Sequence, residues 1–560
     1  MLRKSAAALV AAPAAYAAYK YKTDEGFRRA TKLYTVGGPV VAAYRWEEWK
    51  QTSRFSPVRL SDDPSEKEKK VADAAWAALD EKHSVTIVEL LNDLQGMYTK
   101  YGQTCAGMTN TFSEAWTDKL RTLEDGVTPQ PKEIVYQTIL EEFGKPAEEI
   151  FSEFDDVPLG SASIGQVHRA VLRSTGKEVA VKCQYPEAQR LFAEDMKTIR
   201  SFFAIAAPEQ LIILDEMSRS FQREFDYTVE AANLATVDAN MTKAGFCPRE
   251  AVVPKPHMDF TTRRVLTMDL LPGPKLITGL KAYAKIMAEE QGMTLGEFEK
   301  SMEEKIRREG VRKYDGPSAG QIDSYLKYMR WRDWTLNLGV SVYNALGGKM
   351  EYYKTTLPPN APRIMDTLMR IHGHQLLVDG LFNADPHAGN FLLLPDDRLA
   401  LIDYGATKEL TREERLIACV LYAALYRDDE KLIADCVKYG GYKSKHMRDD
   451  IILKLVKFGF DTYGKELIGD KNIQQFVDEC YREDPWMEAA DNLVMAQFLS
   501  IRLRLVGMAM NHAVKCSDWW GEIAIKALKD EGLPYEVWNL ETMEKELGTE
   551  GLSIAKGAAA

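Results

Sequence analysis

Residues 381–407 read LFNADPHAGNFLLLPDDRLALIDYGAT, a stretch rich in oxygen ligands and possible proton acceptors. Asp385 and Asn390 are separated by four residues, the spacing of the catalytic loop in phosphoryl-transfer enzymes. Asp403 follows Asp385 by eighteen residues, at the end of the apolar run Leu399–Ile402 and just before Tyr404-Gly405. An aspartate in that place can hold Mg²⁺ against phosphates, with Asn390 as the second ligand, because hard cations take oxygen donors. Asp385 is then the candidate base for an attacking hydroxyl. His387 offers a competing reading as a metal ligand, but no second His or Cys lies at ligand spacing.

Phosphate chemistry also needs donors around the phosphates and a cation beside them. Gly160-Ser161-Ala162-Ser163-Ile164-Gly165-Gln166-Val167 has the spacing of a glycine loop, whose backbone N–H groups close over phosphate oxygens. Alanine stands at its centre, so Ala162 puts a Cβ where the backbone would approach a nucleotide; a plain hairpin turn is the alternative. Lys182 ends the run Val179-Ala180-Val181, fifteen residues after Val167, the position of a lysine that neutralises α/β-phosphates. A carboxylate must hold that lysine. FQREFDYTVEAAN (221–233) offers Glu224, Asp226 and Glu230 on a predicted helix, Asp226 and Glu230 sharing a face. In this order and at these spacings the elements read as a kinase-like nucleotide site for ATP and Mg²⁺.

Two absences qualify that reading. No His-Arg pair precedes Asp385; Asn383-Ala384 stand there. Only five residues separate Gly405 from Thr411-Arg412-Glu413-Glu414, a capping-box helix start. A typical protein kinase docks its peptide on a long segment here, so this length disfavours a peptide substrate.

The elements that must position these residues run strands first and helices later, which argues α+β rather than a doubly wound sheet. Residues 51–70, with Pro57 and Pro64, read as a linker. SVTIVELLNDLQGMYTKYGQ (84–103) predicts a helix opened by a Thr86/Glu89 capping box, with Lys100 and Gln103 beside its apolar stripe. Helical patterning continues to residue 150, interrupted at 126–131. Residues 157–186 read as strand, glycine turn, strand, hairpin at Ser174-Thr175-Gly176, strand. Helical segments fill 187–240, VLTMDLL (265–271) is a further strand, and 276–370 is helical again. The Asp385 region follows as one hairpin, and everything after Thr411 reads as helix.

At 560 residues and 45% apolar content the chain can bury a large core. A net charge of −11 argues against nucleic acid as a main partner. Residues 1–50 depart from that balance, with nine Lys/Arg against four Asp/Glu, which leaves −16 for the remainder. Seven scattered cysteines without a CxxC pair disfavour a disulfide scaffold or zinc ribbon and fit a reducing compartment. The start, MLRKSAAALVAAPAAYAAYKYK, is basic and free of acids; its fifteen uncharged residues from Ser5 to Tyr19 fall short of the roughly 20 that span a bilayer. It fits an organelle presequence or a secretory signal, and the free cysteines favour the former. LYTVGGPVVAAY (33–44), between basic residues, reads equally as an interfacial anchor or as part of a helix.

Lys100-Tyr101-Gly102-Gln103, PLGSASIGQVH (158–168), Glu224-Phe225-Asp226 and NADPHAGN (383–390) resemble the KxGQ, alanine-loop, ExD and DPHxGN signatures of the UbiB family. Its members are atypical kinases, also called aarF-domain-containing kinases, and this chain looks most like the mitochondrial subgroup. The resemblance implies a two-lobed, protein-kinase-like α+β fold. Its parts are a targeting or membrane-proximal segment (1–52), a helical KxGQ extension (53–150), a β-rich N-lobe (151–275), a helical insertion (276–365) and a helical C-lobe (366–560). It implies that Lys100, with Gln103, meets Glu224 or Asp226 and occludes the place of a protein substrate, and that Glu230 pairs with Lys182. The implied nucleotide-binding set is Gly160, Ser161, Ala162, Ser163, Gly165, Val167, Lys182, Glu230, Met268 and Leu270. Catalysis falls to Asp385, Lys182 and Asn390, and Mg²⁺ to Asn390 and Asp403.

The same resemblance implies an ATPase or small-molecule kinase in lipid or isoprenoid-quinone (coenzyme Q) homeostasis at a mitochondrial or, alternatively, plastid membrane. A nucleotide-switched binding module and a protein kinase are the other two readings. Three departures stand out: Ala388 for the usual proline, Tyr404 for phenylalanine, and an insertion ahead of the catalytic loop. In that insertion Thr335–Gly348 carries no charge and follows Trp331 and Trp334. It reads as internal helix packing, with a lipid contact as the alternative.

Overall fold

The computed structural model describes residues 16–548, apart from 54, 57, 61–64, 107–112, 124–128, 163, 207–210, 212–213, 215–217, 219–220, 223, 310–313, 315, 356, 358, 397, 470–472 and 489–492. Ser163 and the first part of the basic N-terminal stretch therefore lie outside the described residues. Contacts group the chain into two units, Met1–Ala231 with Pro256–Leu270, and Ala232–Lys255 with Leu271–Ala560.

The first unit opens with helices α1 (Glu25–Lys32) and α2 (Gly38–Thr52), so the 33–44 stretch is helical, through a wide turn at Leu33–Gly37. Helix α3 (Glu66–Leu94) starts at Ser65, whose capping box with Glu68 is formed. The predicted start at Thr86 is thus wrong: Thr86 lies inside a helix already running, where a cap motif has no orphan N–H groups to satisfy. The helix stops because Gln95 and Gly96 take φ of 55° and 56°. Lys100 and Gln103 consequently stand on a separate helix, α4 (Met97–Ala106). Buried Arg29 fixes that break. Its guanidinium reaches both Asp195 oxygens, at 2.8 and 2.6 Å, and donates to the Leu94 carbonyl.

After α5 (Lys132–Phe143) comes an antiparallel sheet of β1 (Phe151–Phe154), β2 (Gly160–Ser161), β3 (Gly165–Leu172) and β4 (Glu178–Gln184). Helices α6 (Ala188–Ala206) and α7 (Tyr227–Lys243) follow, then β5 (Ala251–Val252), which joins the second unit, and β6 (Val265–Asp269), which completes this sheet beside β4. Strand alternation sorts the residues by face. Ala170, Leu172, Val179, Val181, Cys183 and Val265 pack against Val135 and Ile139 of α5. The opposite face therefore receives Val167, Ala180, Lys182 and Met268.

The second unit continues with α8 (Leu276–Glu290), α9 (Leu295–Glu309), α10 (Ala319–Ala345) and α11 (Ala361–His374). The Asp385 stretch is two nested ladders rather than one hairpin. β7 (Leu381–Asn383) pairs with β10 (Thr407–Glu409) outside, and β8 (Phe391–Leu393) with β9 (Leu399–Leu401) inside. Strand β5 runs parallel to β9. The Thr411/Glu414 capping box starts α12 (Arg412–Arg427), whose residues Leu416–Leu425 are buried throughout. Later come α13 (Val494–Ala509) and α14 (Cys516–Asp530); Trp520 of α14 meets the Tyr422 ring at 4.8 Å and donates to the Met369 carbonyl. One ladder interrupts the expected all-helical tail: Lys443–Ser444 pairs with Trp486–Glu488, where buried Asp484 accepts from the Ser444 hydroxyl and the His446 and Arg448 amides.

The expectation of internal packing for the charge-free stretch fails. Helix α10 buries only Leu326, Met329 and Val340, while Trp331, Trp334 and Leu338 are exposed. A helix that touches its neighbours along one narrow stripe leaves its other apolar side chains in water. No described helix is long and apolar enough to cross a membrane.

His372 of α11 packs against the Asp385 stretch. Its ring stands edge-on to Phe391 at 5.8 Å, and Nδ1 lies 2.8 Å from the Leu368 carbonyl. Complete burial pulls its pKa from 6.5 down to about 4, against the opposing pull of that carbonyl. The folded value is below the unfolded one, so the unfolded chain takes up the proton first and stability falls as pH drops from 6.5 towards 4. The expected contribution to the slope is about 1.4 kcal/mol per pH unit. Denaturant titrations across that window should give a slope smaller by this amount in His372→Phe; an equal slope would mean that His372 is not buried neutral.

Candidate functional site

In the first unit, strand register decides which residues can share a ligand. Val167 lies opposite Lys182, and Ala180 opposite Met268, so these four side chains crowd one face of the sheet. Leu270 follows β6 and is half-buried. Lys182 Nζ lies 2.9 Å from each Glu230 oxygen, with side chains only 14% and 4% exposed. The ammonium also sits 5.1 Å from the Tyr227 ring centroid. Glu230 reaches it from the first turn of α7.

The glycine loop runs along β2 and β3, with Gly160 opposite Val167 and Ser161 opposite Gln166. The Ala162 amide donates to the Gly165 carbonyl at 2.7 Å, which closes the turn. Gly165 tolerates no side chain: a Cβ there would lie 2.4 Å from the Cys183 carbonyl oxygen and 2.8 Å from the Tyr227 hydroxyl. Two residues without a role in the sequence reading lock this loop in place. Buried Gln166 accepts from the Gln130 amide and the Tyr185 hydroxyl and donates to His168 Nε2. His168 passes the chain on, Nδ1–H to the Asp155 carbonyl at 2.7 Å, and burial holds its pKa below the ordinary value. The available signal was two polar residues at inward positions of an alternating strand.

The structure decides between the two carboxylates open to Lys100. Its ammonium meets Glu224 Oε2 at 3.1 Å and sits 5.3 Å from the Phe221 ring centroid. Gln103 donates to the Leu123 carbonyl at 2.8 Å. Glu224 and Asp226 do not stand on the helix with Glu230, as was expected; they lie in the turn before it. Asp226 accepts from the Thr228 amide at 3.0 Å and the Thr228 hydroxyl at 2.5 Å, so it serves as the N-cap of α7.

In the second unit, asparagines tie the candidate base and metal ligands together. Asn383 accepts from the Asp385 amide and donates to the Asp403 carbonyl, both at 2.8 Å. Asn390 donates Nδ2 to the Asp385 carbonyl at 3.0 Å, which leaves Oδ1 as the atom it can offer a cation. The Ile402 amide donates to the Asn390 carbonyl at 3.1 Å, so Asn390 and Asp403 sit at the same end of the β8–β9 ladder. Asp403 Oδ1 accepts from the Gly405 amide. This is an oxygen-donor set of the kind Mg²⁺ takes. His387 shapes the backbone instead. Its Nδ1 accepts from the Gly389 amide at 3.1 Å and caps the turn at Ala388–Asn390.

Tyr404, in place of phenylalanine, is buried and accommodated. Its hydroxyl accepts from Gln375 at 2.8 Å, and its carbonyl accepts from Asn233 at 3.1 Å. Asp385 has a partner absent from the sequence reading, Arg502 of α13, with Nε 3.2 Å from Oδ1. Arg502 and Arg504 are the only charges in VMAQFLSIRLRLVGMA (494–509), and charges set in an apolar helix were the clue.

Residues 122–310 and 349–437 match the model of the ABC1 atypical kinase-like domain. Among curated proteins the chain is 27% identical, over 60% of its length, to Protein ACTIVITY OF BC1 COMPLEX KINASE 1, chloroplastic, of Arabidopsis thaliana. It is 28% identical over 63% of its length to an uncharacterised protein of Synechocystis, and 24% over 60% to AarF domain-containing protein kinase 1 of Gallus gallus. The aligned stretches span 39%, 42% and 52% of those relatives respectively.

The two acidic neighbours should separate cleanly on substitution. Asp226→Ala is expected to lose about 1 kcal/mol in urea unfolding, the usual cost of removing an N-cap. Glu224→Gln removes the charge that meets a mostly buried ammonium, with side chains only 22% and 14% exposed, so it should cost more than the cap, about 2–3 kcal/mol. Equal effects on stability would contradict the division of labour.

Proposed function

The chain belongs to the ABC1 atypical kinase-like family, and from that premise we propose that it binds Mg-ATP and transfers the γ-phosphoryl group to a lipid or quinone-type small molecule, or to water. Support comes first from the Lys182–Glu230 pair, whose members are 48 residues apart yet meet at 2.9 Å through both carboxylate oxygens. A lysine fixed this way neutralises α/β-phosphates without swinging into the space its ligand needs. Val167, Ala180 and Met268 give the base of a nucleotide an apolar surface on the same sheet face.

Asn390 and Asp403 hold Mg²⁺ in this reading. When bound, the ion neutralises the charge that builds up on the transferring phosphoryl group. Asp385 accepts the proton of the attacking hydroxyl, positioned by Arg502 and by the Asn383 side chain. The acceptor is small because the chain folds away immediately after Gly405: Thr407–Glu409 is taken up in β10, and Thr411 caps α12. A lipid or quinone acceptor and a mitochondrial location, with the plastid as alternative, follow from the family signatures. The plant relatives are themselves named chloroplastic.

ATP turnover by the purified full chain, with and without lipid vesicles, tests this reading. Asp403→Asn is expected to lower turnover by about 100-fold or more, the usual scale for removing one electrostatic contact to transition-state charge. Tight Mg-nucleotide binding with no Asp403-dependent turnover would instead mark a nucleotide-switched binding module.

A further inference from the structure

Helix α10 lies wholly in 311–348, the stretch that the family match leaves out, and the segment returning along it opens the second matched stretch. Trp331, Trp334, Leu338 and Val342, with Leu346 just beyond the helix end, are 50–84% exposed. At 3.6 residues per turn they fall within an arc of about 120°, running roughly 22 Å along the helix. Leu326, Met329 and Val340 point the other way, into the protein. Isolated exposed apolar residues are ordinary, but a continuous face of this length with two tryptophans marks a contact surface.

The face is fixed rather than frayed. Asn344 donates to the Met350 carbonyl at 2.9 Å and accepts from its amide at 2.8 Å. Asn337 does the same with Tyr353, at 2.9 and 2.7 Å, and Asp333 accepts from the Thr355 amide at 2.7 Å. These clips hold an extended strip against the helix, and Met350, Tyr352 and Tyr353 on it are exposed as well.

Charge indicates what covers this face. The arc holds no Asp or Glu; Lys327 lies within its angular range one turn before Trp331, and Arg330 flanks it. Of the acids of α10, Asp333 faces elsewhere and is engaged by Arg332 and Thr355. Asp323, beside the arc about two turns before Trp331, has its charge met by Arg363 and bonds Asn360. The exposed strip adds Lys349 and Lys354 against a single Glu351. Tryptophan and tyrosine with aliphatic residues between them, edged by lysine and arginine, is the composition of a helix lying in a bilayer interface.

We infer that α10 and its clipped strip lie flat on an anionic lipid surface, with the Trp331–Trp334–Leu338–Val342 arc at the boundary between headgroups and acyl chains. The inference rests on the membrane side of the proposed function and uses none of the nucleotide residues, so each can fail without the other.

Co-sedimentation of the full chain with vesicles of phosphatidylcholine plus phosphatidylglycerol, against phosphatidylcholine alone, is the test. Trp331→Ser/Trp334→Ser should bind the anionic vesicles about tenfold more weakly or worse, with an unchanged unfolding midpoint. Trp46→Ser/Trp49→Ser, exposed tryptophans near the N-terminus, and Asp403→Asn should both bind like wild type. Undiminished binding by the α10 variant, or equal binding to neutral vesicles, would overturn the inference. So would self-association in the absence of vesicles that the α10 substitutions abolish, since the face would then belong to a second copy.

Discussion

A lysine ammonium that is mostly out of water must have its charge met, and in the first unit that constraint organises everything around it. Lys182 is met by Glu230, and breaking such a pair leaves a buried charge without compensation, at a cost of about 3–5 kcal/mol. For Glu230 to arrive, α7 must begin within a turn of it, and Asp226 sets that start as N-cap. For the first turn of α7 to come so near the strands, Gly165 must lack a side chain, since the Tyr227 hydroxyl and the Cys183 carbonyl fill the space of a Cβ. The sheet's other face, packed on α5, supplies the rigidity that keeps Lys182 from relaxing out of register. Lys100 follows a similar rule at the edge of the unit, where Glu224 takes its charge.

In the second unit the candidate site residues are tied together largely by hydrogen bonds from neutral amides. Asn383 bridges Asp385 and Asp403 through backbone and side chain together, and Asn390 is oriented by its own bond to the Asp385 carbonyl. Neutral amides position the backbone around these oxygen donors without adding charge, and Arg502 meets the Asp385 carboxylate directly. Beneath them, α11 and α12 provide an apolar base in which His372 is forced to remain neutral.

What was legible in the sequence was local. Asp385, Asn390 and Asp403 are joined by short connections whose lengths constrain geometry, and Lys182 lies in β4, which pairs with its chain neighbour β3. The β-hairpin at 174–176 and the Thr411 cap were readable for the same reason. Readings failed where a local pattern has more than one physical solution. Thr86 and Glu89 have the spacing of a capping box, but a cap acts only where a helix begins, and Ser65 had already begun it. Asp226 looked like a helix-face carboxylate, although aspartate so near a helix start satisfies the first amides more effectively than it pairs one turn later. Thr335–Gly348 looked buried because it lacks charge; the structure puts its tryptophan-flanked face in solvent. Arg502, Gln166 and His168 stood out only as polar residues in apolar settings, because their partners are set by packing and not by spacing.

The most direct measurement is the affinity of a fluorescent ATP analogue, titrated with Mg²⁺ into the wild-type chain and into Lys182→Met, with circular dichroism to show that both are folded. If Lys182 is held by Glu230 in order to receive phosphates, the wild type binds saturably and the folded variant binds about tenfold more weakly or worse, the loss expected of a charge-assisted contact. Equal affinity in two folded proteins would contradict it and leave the pair as a strut of the sheet.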